Sequence, residues 1–312
     1  MNAVYKQLTE ATGLPPLALA LGVFDGVHLG HRALLNAAVE EAMRLDAIPA
    51  ALTFDPHPAR ALSPARAPLL LGTLPERIES LRACGVQEVL VAAFDREMAA
   101  QTPEIFIQQV LIGRLNTKAI IIGEDFRFGC DRKGDVAYLR AAGERFGFEV
   151  RALSPVFVGG VPARSTTIRQ MLSGGQVAEA SRLLGRDYSL RGEVVHGRKL
   201  GRTLGFPTAN IARDPQILVP ADGVYAGYAT LENGARYRTA ISVGTNPTVA
   251  LTDSPRTVEA YLMDGFDGDL YGQILDISFA HFLRPTLKFD GLDALITQMR
   301  LDVREAESLL DS

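Results

Sequence analysis

The sequence predicts an α/β half followed by an all-β half that closes on a helix, and three observations predict it. Up to about residue 186, short apolar runs alternate with stretches of helical periodicity, the pattern of a parallel sheet with helices on both faces. From about 187 the segments (YSLRGEVVHG, GVYAGYATL, RYRTAISVG, TVEAYLMD, ILDISFAHFL) are short and β-branched or aromatic, with Gly, Pro, Asn and Asp between them. That pattern suits an antiparallel barrel or sandwich. The last stretch, GLDALITQMRLDVREAESLL, returns to helical periodicity. With 312 residues the chain is long enough for about two domains, each with its own core. The boundary is expected near Gly185–Asp187, after the helical QVAEASRLLG, which gives domains 1–186 and 187–312.

In the first half, strands are expected at 17–23 (LALALGV), 50–54 (AALTF), 88–94 (EVLVAAF) and 118–122 (KAIII). Amphipathic helices are expected at 32–45, 75–84 and 103–115; in the first of these, Leu34, Leu35, Ala38, Ala42 and Leu45 share a face. LPPLALALGVF could pass for the apolar core of a signal peptide. Only Lys6 precedes it as a cation, however, Glu10 intervenes and Asp25 ends the run, so a buried parallel strand is expected. No apolar stretch approaches the ~20 residues that span a bilayer. The net charge is −4 with scattered basic residues, which excludes a nucleic-acid-binding stripe and a polybasic membrane tail. Cys84 and Cys130 lie far apart without CxxC spacing, so neither a zinc site nor a disulfide framework is expected, and the setting is expected to be cytoplasmic.

Chemistry concentrates first in GVFDGVHLGH, residues 22–31, between the first strand and the first helix. Ligands of open parallel sheets bind at that edge, beyond the carboxyl ends of the strands. Two of the chain's five histidines, His28 and His31, stand here with Gly30 between them. A metal site needs further ligands: no other His or Cys is near in sequence, though Asp25 or a residue brought in by folding could serve. A glycine-rich turn with partly solvated imidazoles also accounts for the spacing. A phosphate site has a mechanism. The turn aims backbone N–H groups at an anion, the helix dipole adds attraction, and both imidazoles lie on one face to stabilise charge on a phosphoryl group.

FDGVHLGH, followed by TFDPHP at 53–58, IGEDFRFG at 122–129 and STTIR at 165–169, resembles the adenylyltransferase half of the bacterial bifunctional riboflavin kinase/FAD synthetase family. HxGH alone is the signature of nucleotidylyltransferases at large. The resemblance implies a Rossmann-like nucleotidylyltransferase domain. In it His28 and His31 contact the ATP phosphates, with Gly22, Phe24, Asp25 and Gly30 in the same loop. It also implies that Asp125 lies near the adenosine, and that Ser165, Thr166 and Arg169 bind phosphates at a helix start. A hydroxyl-capped helix start is independently an anion site, although a plain helix cap explains the Ser-Thr pair as well. Arg164 departs from the family, which commonly has a further Ser there. Pro56 and Pro58 impose an extended turn, and His57 is given no catalytic role.

The second constellation is HGRKLGRTLGFPTANI at 196–211. Gly197, Gly201 and Gly205 expose backbone, and Arg198, Lys199 and Arg202 bring charge, but the G-K-[ST] ending and following helix of a P-loop are missing. Thr208 and Asn210 lie on one side of an extended chain and offer hard oxygens suited to Mg²⁺ carrying nucleotide phosphates. A Gly/Pro-rich barrel loop followed by a strand accounts for the same residues. GRTLGFPTAN, GVYAG, VGTNPT, VEAYLMD and DLYG occur in the order of the riboflavin kinase family, and the resemblance spans about residues 17 to 305. It implies a small antiparallel barrel in which Gly197, Lys199, Gly201, Arg202, Gly205 and Pro207 surround the nucleotide. Thr208 and Asn210 would hold the metal and phosphates, and Glu259 would take the proton of the riboflavin 5′-hydroxyl. Alternation puts Val258 and Ala260 on the face opposite Glu259, so an exposed strand carboxylate is the plainer reading of that residue.

The implied function is phosphorylation of riboflavin to FMN in the second domain and adenylylation of FMN to FAD in the first, both by direct displacement. The participants are ATP, Mg²⁺ and the flavins, with no nucleic acid or membrane. Three alternatives are a chain with only one live half, a flavin-binding regulatory module, and a nucleotidylyltransferase for another acceptor. Association into a homo-oligomer is left open.

Overall fold

The computed structural model describes residues 6–197, 205–244 and 256–311. The chain divides into two compact units, Met1–Ser165 and Thr166–Ser312.

The first unit is built on six parallel strands: β1 (Lys6–Gln7), β2 (Leu17–Leu21), β3 (Ile48–Asp55), β4 (Glu88–Ala93), β5 (Thr117–Gly123) and β6 (Glu149–Leu153). Their order is β1-β4-β3-β2-β5-β6, so the chain adds β3 and β4 on one side of β2 and then β5 and β6 on the other. The loops after β2 and β5 therefore flank the point where strand order reverses. The connecting helices are α1 (Leu29–Leu45), α2 (Pro58–Leu62), α3 (Leu74–Ala83), α4 (Arg96–Ala100), α5 (Pro103–Ile105) and α6 (Val136–Phe146). α5 runs on into a π-helical stretch, Phe106–Ile112, where 103–115 read as one α-helix. Its wide winding buries Phe106, Ile107, Val110 and Leu111 against the sheet.

β2 alternates Leu and Ala, and each type has its own side of the sheet. Leu17, Leu19 and Leu21 pack with Phe106, Leu111 and Leu139, whereas Ala18 and Ala20 pack with Leu35, Ala38 and Ala42 of α1. Small residues on that side let α1 come close, which fixes where its first turn stands. Strand β6 escaped the sequence reading because its EVRAL pattern carries charge on alternate, exposed positions and never forms an apolar run.

The second unit holds a closed antiparallel barrel, which settles the choice between barrel and sandwich. Its strands are β9 (Tyr188–Val195), β10 (Ala209–Ala212), β11 (Gly223–Leu231), β12 (Arg236–Gly244), β13 (Thr257–Leu262) and β14 (Ile274–Arg284), in the order β10-β13-β12-β11-β14-β9. Pairing of β9 with β10 closes it. A short hairpin, β7 (Phe157–Val158) and β8 (Val161–Pro162), precedes helix α7 (Ser165–Ser173). Helix α8 (Val177–Leu184) buries Val177, Ala180, Leu183 and Leu184 and packs on β14 and β9. That packing places helical sequence before residue 186 in the barrel unit. The C-terminal helix α9 (Leu292–Leu310) is tied to β14 by Arg284, whose Nε and Nη2 donate to the Asp302 carboxylate at 2.7 and 2.6 Å.

Inside the barrel Tyr225 has no exposure, its hydroxyl donates to Ala221 O at 2.6 Å, and its ring meets Phe279 edge-on. Burial pushes its phenol up to about 12, with Arg256 opposing and Asp222 adding. An unfolded tyrosine ionises near 10. The contribution is therefore complete below about pH 10 and is lost as pH rises toward about 12, by roughly 2–3 kcal/mol. Tyr225→Phe, which keeps the ring, is expected to flatten the fall in denaturation midpoint over that range. An unchanged pH slope would refute this.

Candidate functional site

The loop after β2 brings its functional side chains together through local geometry. His28 caps α1, and its Nδ1 accepts the His31 backbone N–H at 3.3 Å. That bond assigns the proton to Nε2, which becomes a donor. The two imidazoles stack with centroids 3.6 Å apart and planes 18° apart, and the Phe24 ring meets His31 edge-on at 5.2 Å. His28 is buried and His31 half-buried. Holding them requires unusual backbone: Phe24, Gly26 and Val27 have φ of 54°, 82° and 39°. The left-handed region disfavours non-glycine residues, β-branched ones most of all. Gly30 has a different cause, since a Cβ there would lie 2.9 Å from Ala163 O and 3.1 Å from the His28 ring. A Cβ on Gly22 would press on the Phe24 ring at 3.2 Å.

Asp25 is 2% exposed, and both its carboxylate oxygens accept the Leu71 N–H, at 2.9 and 3.2 Å. Ser165 Oγ donates to Asp25 O at 2.9 Å, which joins the start of STTIR to the histidine loop. Thr166 is exposed and Arg169 half-buried further along α7, in the second unit. Asp125 stands exposed on the loop after β5, where Arg164 Nη2 contacts its Oδ2 at 3.0 Å. The residue that departs from the family thus faces the carboxylate expected near the adenosine. His57 caps α2 by accepting Ala59 N–H at 3.1 Å.

One residue near this loop went unremarked in the sequence. Arg77 is 3% exposed; its Nη1 donates to Phe54 O at 2.9 Å and Thr53 Oγ1 at 3.3 Å. Burial lowers its affinity for its proton, while Asp25 and Asp55 oppose. The signal was there to read: Arg77 follows Leu74 by three positions and precedes Leu81 by four, so it interrupts the apolar stripe of α3.

In the barrel, Thr208 Oγ1 donates to Glu259 Oε2 at 3.1 Å. Thr257 Oγ1 lies 3.2 Å from Gly244 O and 3.5 Å from Glu259 Oε1. Register sets Asn210 of β10 and Ser242 of β12 on either side of Glu259. Val258 and Ala260 are buried and Glu259 is half-buried, so the carboxylate points away from the barrel interior. It lines a cavity of about 1320 Å³ with Thr208, Asn210, Ser242, Thr257 and Tyr261. Gly197 lies against Asn210, whose Nδ2 would be 2.3 Å from a Cβ there. Gly205 has φ of 82° with open space around it, and Pro207 is exposed. Lys199, Gly201 and Arg202, with Arg198, lie outside the described residues.

Among the described residues no group of three or more His, Cys, Asp or Glu side chains could hold a metal ion. The barrel site instead gathers a hydroxyl, an amide and a carboxylate. That set can hold a hard cation jointly with phosphate oxygens and accept a proton.

The profile of the FAD synthetase family matches residues 12–167, and that of the riboflavin kinase family matches 184–310. A bifunctional riboflavin kinase/FMN adenylyltransferase of Haemophilus influenzae is 38% identical over 95% of this chain and 94% of its own. The protein of the same name from Escherichia coli K12 is 39% identical over 91% of this chain and 90% of its own. A solved structure described as a macrolide-efflux protein of Streptococcus pneumoniae is 32% identical, with a TM-score of 0.87, covering 97% of this chain and 99% of that one. Among the described residues no helix is long and apolar enough to cross a membrane.

Proposed function

The chain belongs to the bifunctional riboflavin kinase/FMN adenylyltransferase family, and from that premise we propose which of its residues perform each reaction. The enzyme phosphorylates riboflavin to FMN with ATP and joins AMP from a second ATP to FMN, giving FAD and pyrophosphate. We assign the second reaction to residues 1–186 and the first to 187–312.

The two acceptors differ in what they need. A hydroxyl must lose a proton as it attacks, whereas the FMN phosphate is already anionic near pH 7. The observation that carries the assignment is the matching difference between sites: a half-buried carboxylate in the barrel, stacked imidazoles at a helix start in the first unit. Glu259 takes the 5′-hydroxyl proton, and the riboflavin oxygen attacks the γ-phosphorus as ADP leaves. The Thr208 hydrogen bond orients Oε2, Thr257 Oγ1 stands 3.5 Å from Oε1, and the side chain lines the cavity. In the first unit the FMN phosphate attacks the α-phosphorus and pyrophosphate leaves. The His28 and His31 imidazoles and the N-terminus of α1 stabilise charge on the phosphates. Asp25, Phe24, Gly22 and Gly30 shape that loop, Asp125 faces the adenosine, and Ser165 supplies a further phosphate donor.

The Thr208 and Asn210 oxygens fit Mg²⁺, a hard ion that needs few protein ligands when phosphates share it. When bound it neutralises charge on the transferring phosphoryl group. Cys84 and Cys130 lie far apart in sequence without CxxC spacing, which suits a cytoplasmic setting.

Pure protein incubated with riboflavin, ATP and Mg²⁺ and followed by chromatography should give FMN and then FAD. FMN alone would sink the role given to the histidine loop, and neither product would leave a flavin-binding module. Gly197→Ala is expected to displace the Asn210 amide and lower riboflavin phosphorylation about tenfold or more. Adenylylation of supplied FMN should be unchanged, and equal loss of both rates would count against the assignment.

A further inference from the structure

Arg77 lies outside every motif that carries the two activities, yet it is among the most deeply buried charges in the first unit. Replacing a buried charge by a well-packed apolar side chain is often neutral or stabilising. Stability therefore does not explain an arginine on the apolar stripe of α3, where Ile78 and Leu81 fill neighbouring positions.

Its placement does. Nη1 donates to Phe54 O and Thr53 Oγ1 at the carboxyl end of β3. Thr53 Oγ1 in turn donates to Val23 O at 2.8 Å, the first turn of the histidine loop. One guanidinium thus links the ends of two adjacent strands through a single hydroxyl. The Asp25 and Asp55 carboxylates act on it electrostatically from the same strand ends. Asp25 holds the Leu71 N–H, and its own carbonyl receives Ser165, so its position sets both the loop and the start of STTIR. Uncompensated carboxylates beneath a site for triphosphate would repel it, strongly so in a region of low dielectric.

We propose that Arg77 is a positioning residue for adenylyl transfer: it locks the ends of β2 and β3 together and offsets the charges of Asp25 in the histidine loop and Asp55 at the end of β3. It touches no substrate and acts through Thr53, Phe54 and Asp25. The proposal rests on the assignment of FMN adenylylation to that loop.

The test measures kcat and ATP KM for FAD formation from supplied FMN in the full chain, for Arg77→Met, Arg77→Lys and His31→Ala. Amide-exchange protection of Leu17–Leu21 and Ile48–Asp55 serves as the folding control for the first unit. Arg77→Met fills a similar volume without charge and is expected to lower kcat on the order of thirtyfold. Arg77→Lys keeps the charge but moves the donor, since Nη1 carries both hydrogen bonds, and should fall between Arg77→Met and the parent, about three- to tenfold below the latter. Both should phosphorylate riboflavin at the parent rate. A side chain needed only for packing would be replaced at least as well by Met as by Lys, so Met equal to or above Lys overturns the proposal. If Arg77→Met loses strand protection, Arg77→Lys decides alone: a kcat about threefold or more below the parent supports the proposal, and a parent-like kcat overturns it. FAD formation surviving in His31→Ala would overturn the assignment of the loop itself. Loss in His31→Ala with full activity in both Arg77 variants would overturn only the role of Arg77.

Discussion

His31→Ala is expected to lower FAD formation from FMN by about 10²–10³-fold while riboflavin phosphorylation stays within about twofold of the parent. Position 31 is the cleaner place to test the imidazole pair. His31 takes part in the α1 cap only through its backbone N–H, which alanine keeps. His28→Ala would also remove the capping acceptor, at a cost of about 1 kcal/mol, and mix a folding effect with a chemical one. Truncation at 31 removes the ring that stacks on His28 and meets Phe24. The measurement is single-turnover conversion of FMN with excess ATP, read as FAD by chromatography. A parent-like rate would remove His31 from the reaction.

Glu259→Gln is expected to do the converse, lowering riboflavin phosphorylation by about 10²–10⁴-fold and sparing adenylylation of supplied FMN. Glutamine keeps an oxygen able to accept from Thr208, so the strand contacts of β13 persist and only proton acceptance is lost. Each variant is the other's control. Loss of both activities in both folded variants would show that the division into two sites is wrong.

Much of this fold is legible in the sequence because buried strands and helix faces write their burial directly. The runs at Leu17–Leu21 and Thr117–Gly123 are apolar because both sides of the sheet are covered. The barrel is legible as turn-punctuated segments, though only pairing of β9 with β10 distinguishes it from a sandwich. What stayed hidden depends on distant contacts. β6 mixes charge into its pattern, and α8 looks like part of the first half until its apolar face is seen on β14 and β9. The motif residues could be named from sequence, but their partners could not. Nothing local says that Ser165 reaches Asp25 O, that Arg164 reaches Asp125, or that Arg77 reaches Phe54 O at the end of β3.

The backbone of the histidine loop has a consequence for anyone who would harden this enzyme. Phe24 at φ 54° and Val27 at φ 39° each cost about 1–2 kcal/mol relative to relaxed backbone. Both side chains are fully buried, so glycine there would relieve that strain but leave a cavity costing more, about 3–5 kcal/mol at Phe24, and a campaign selecting for melting temperature will leave these positions alone. Glycine at 24 would also remove the ring that steadies His31 and widen the spread of imidazole orientations. The strained turn is thus held by the packing of the same side chains that strain it, and variants altered at 24 or 27 should be both less stable and slower.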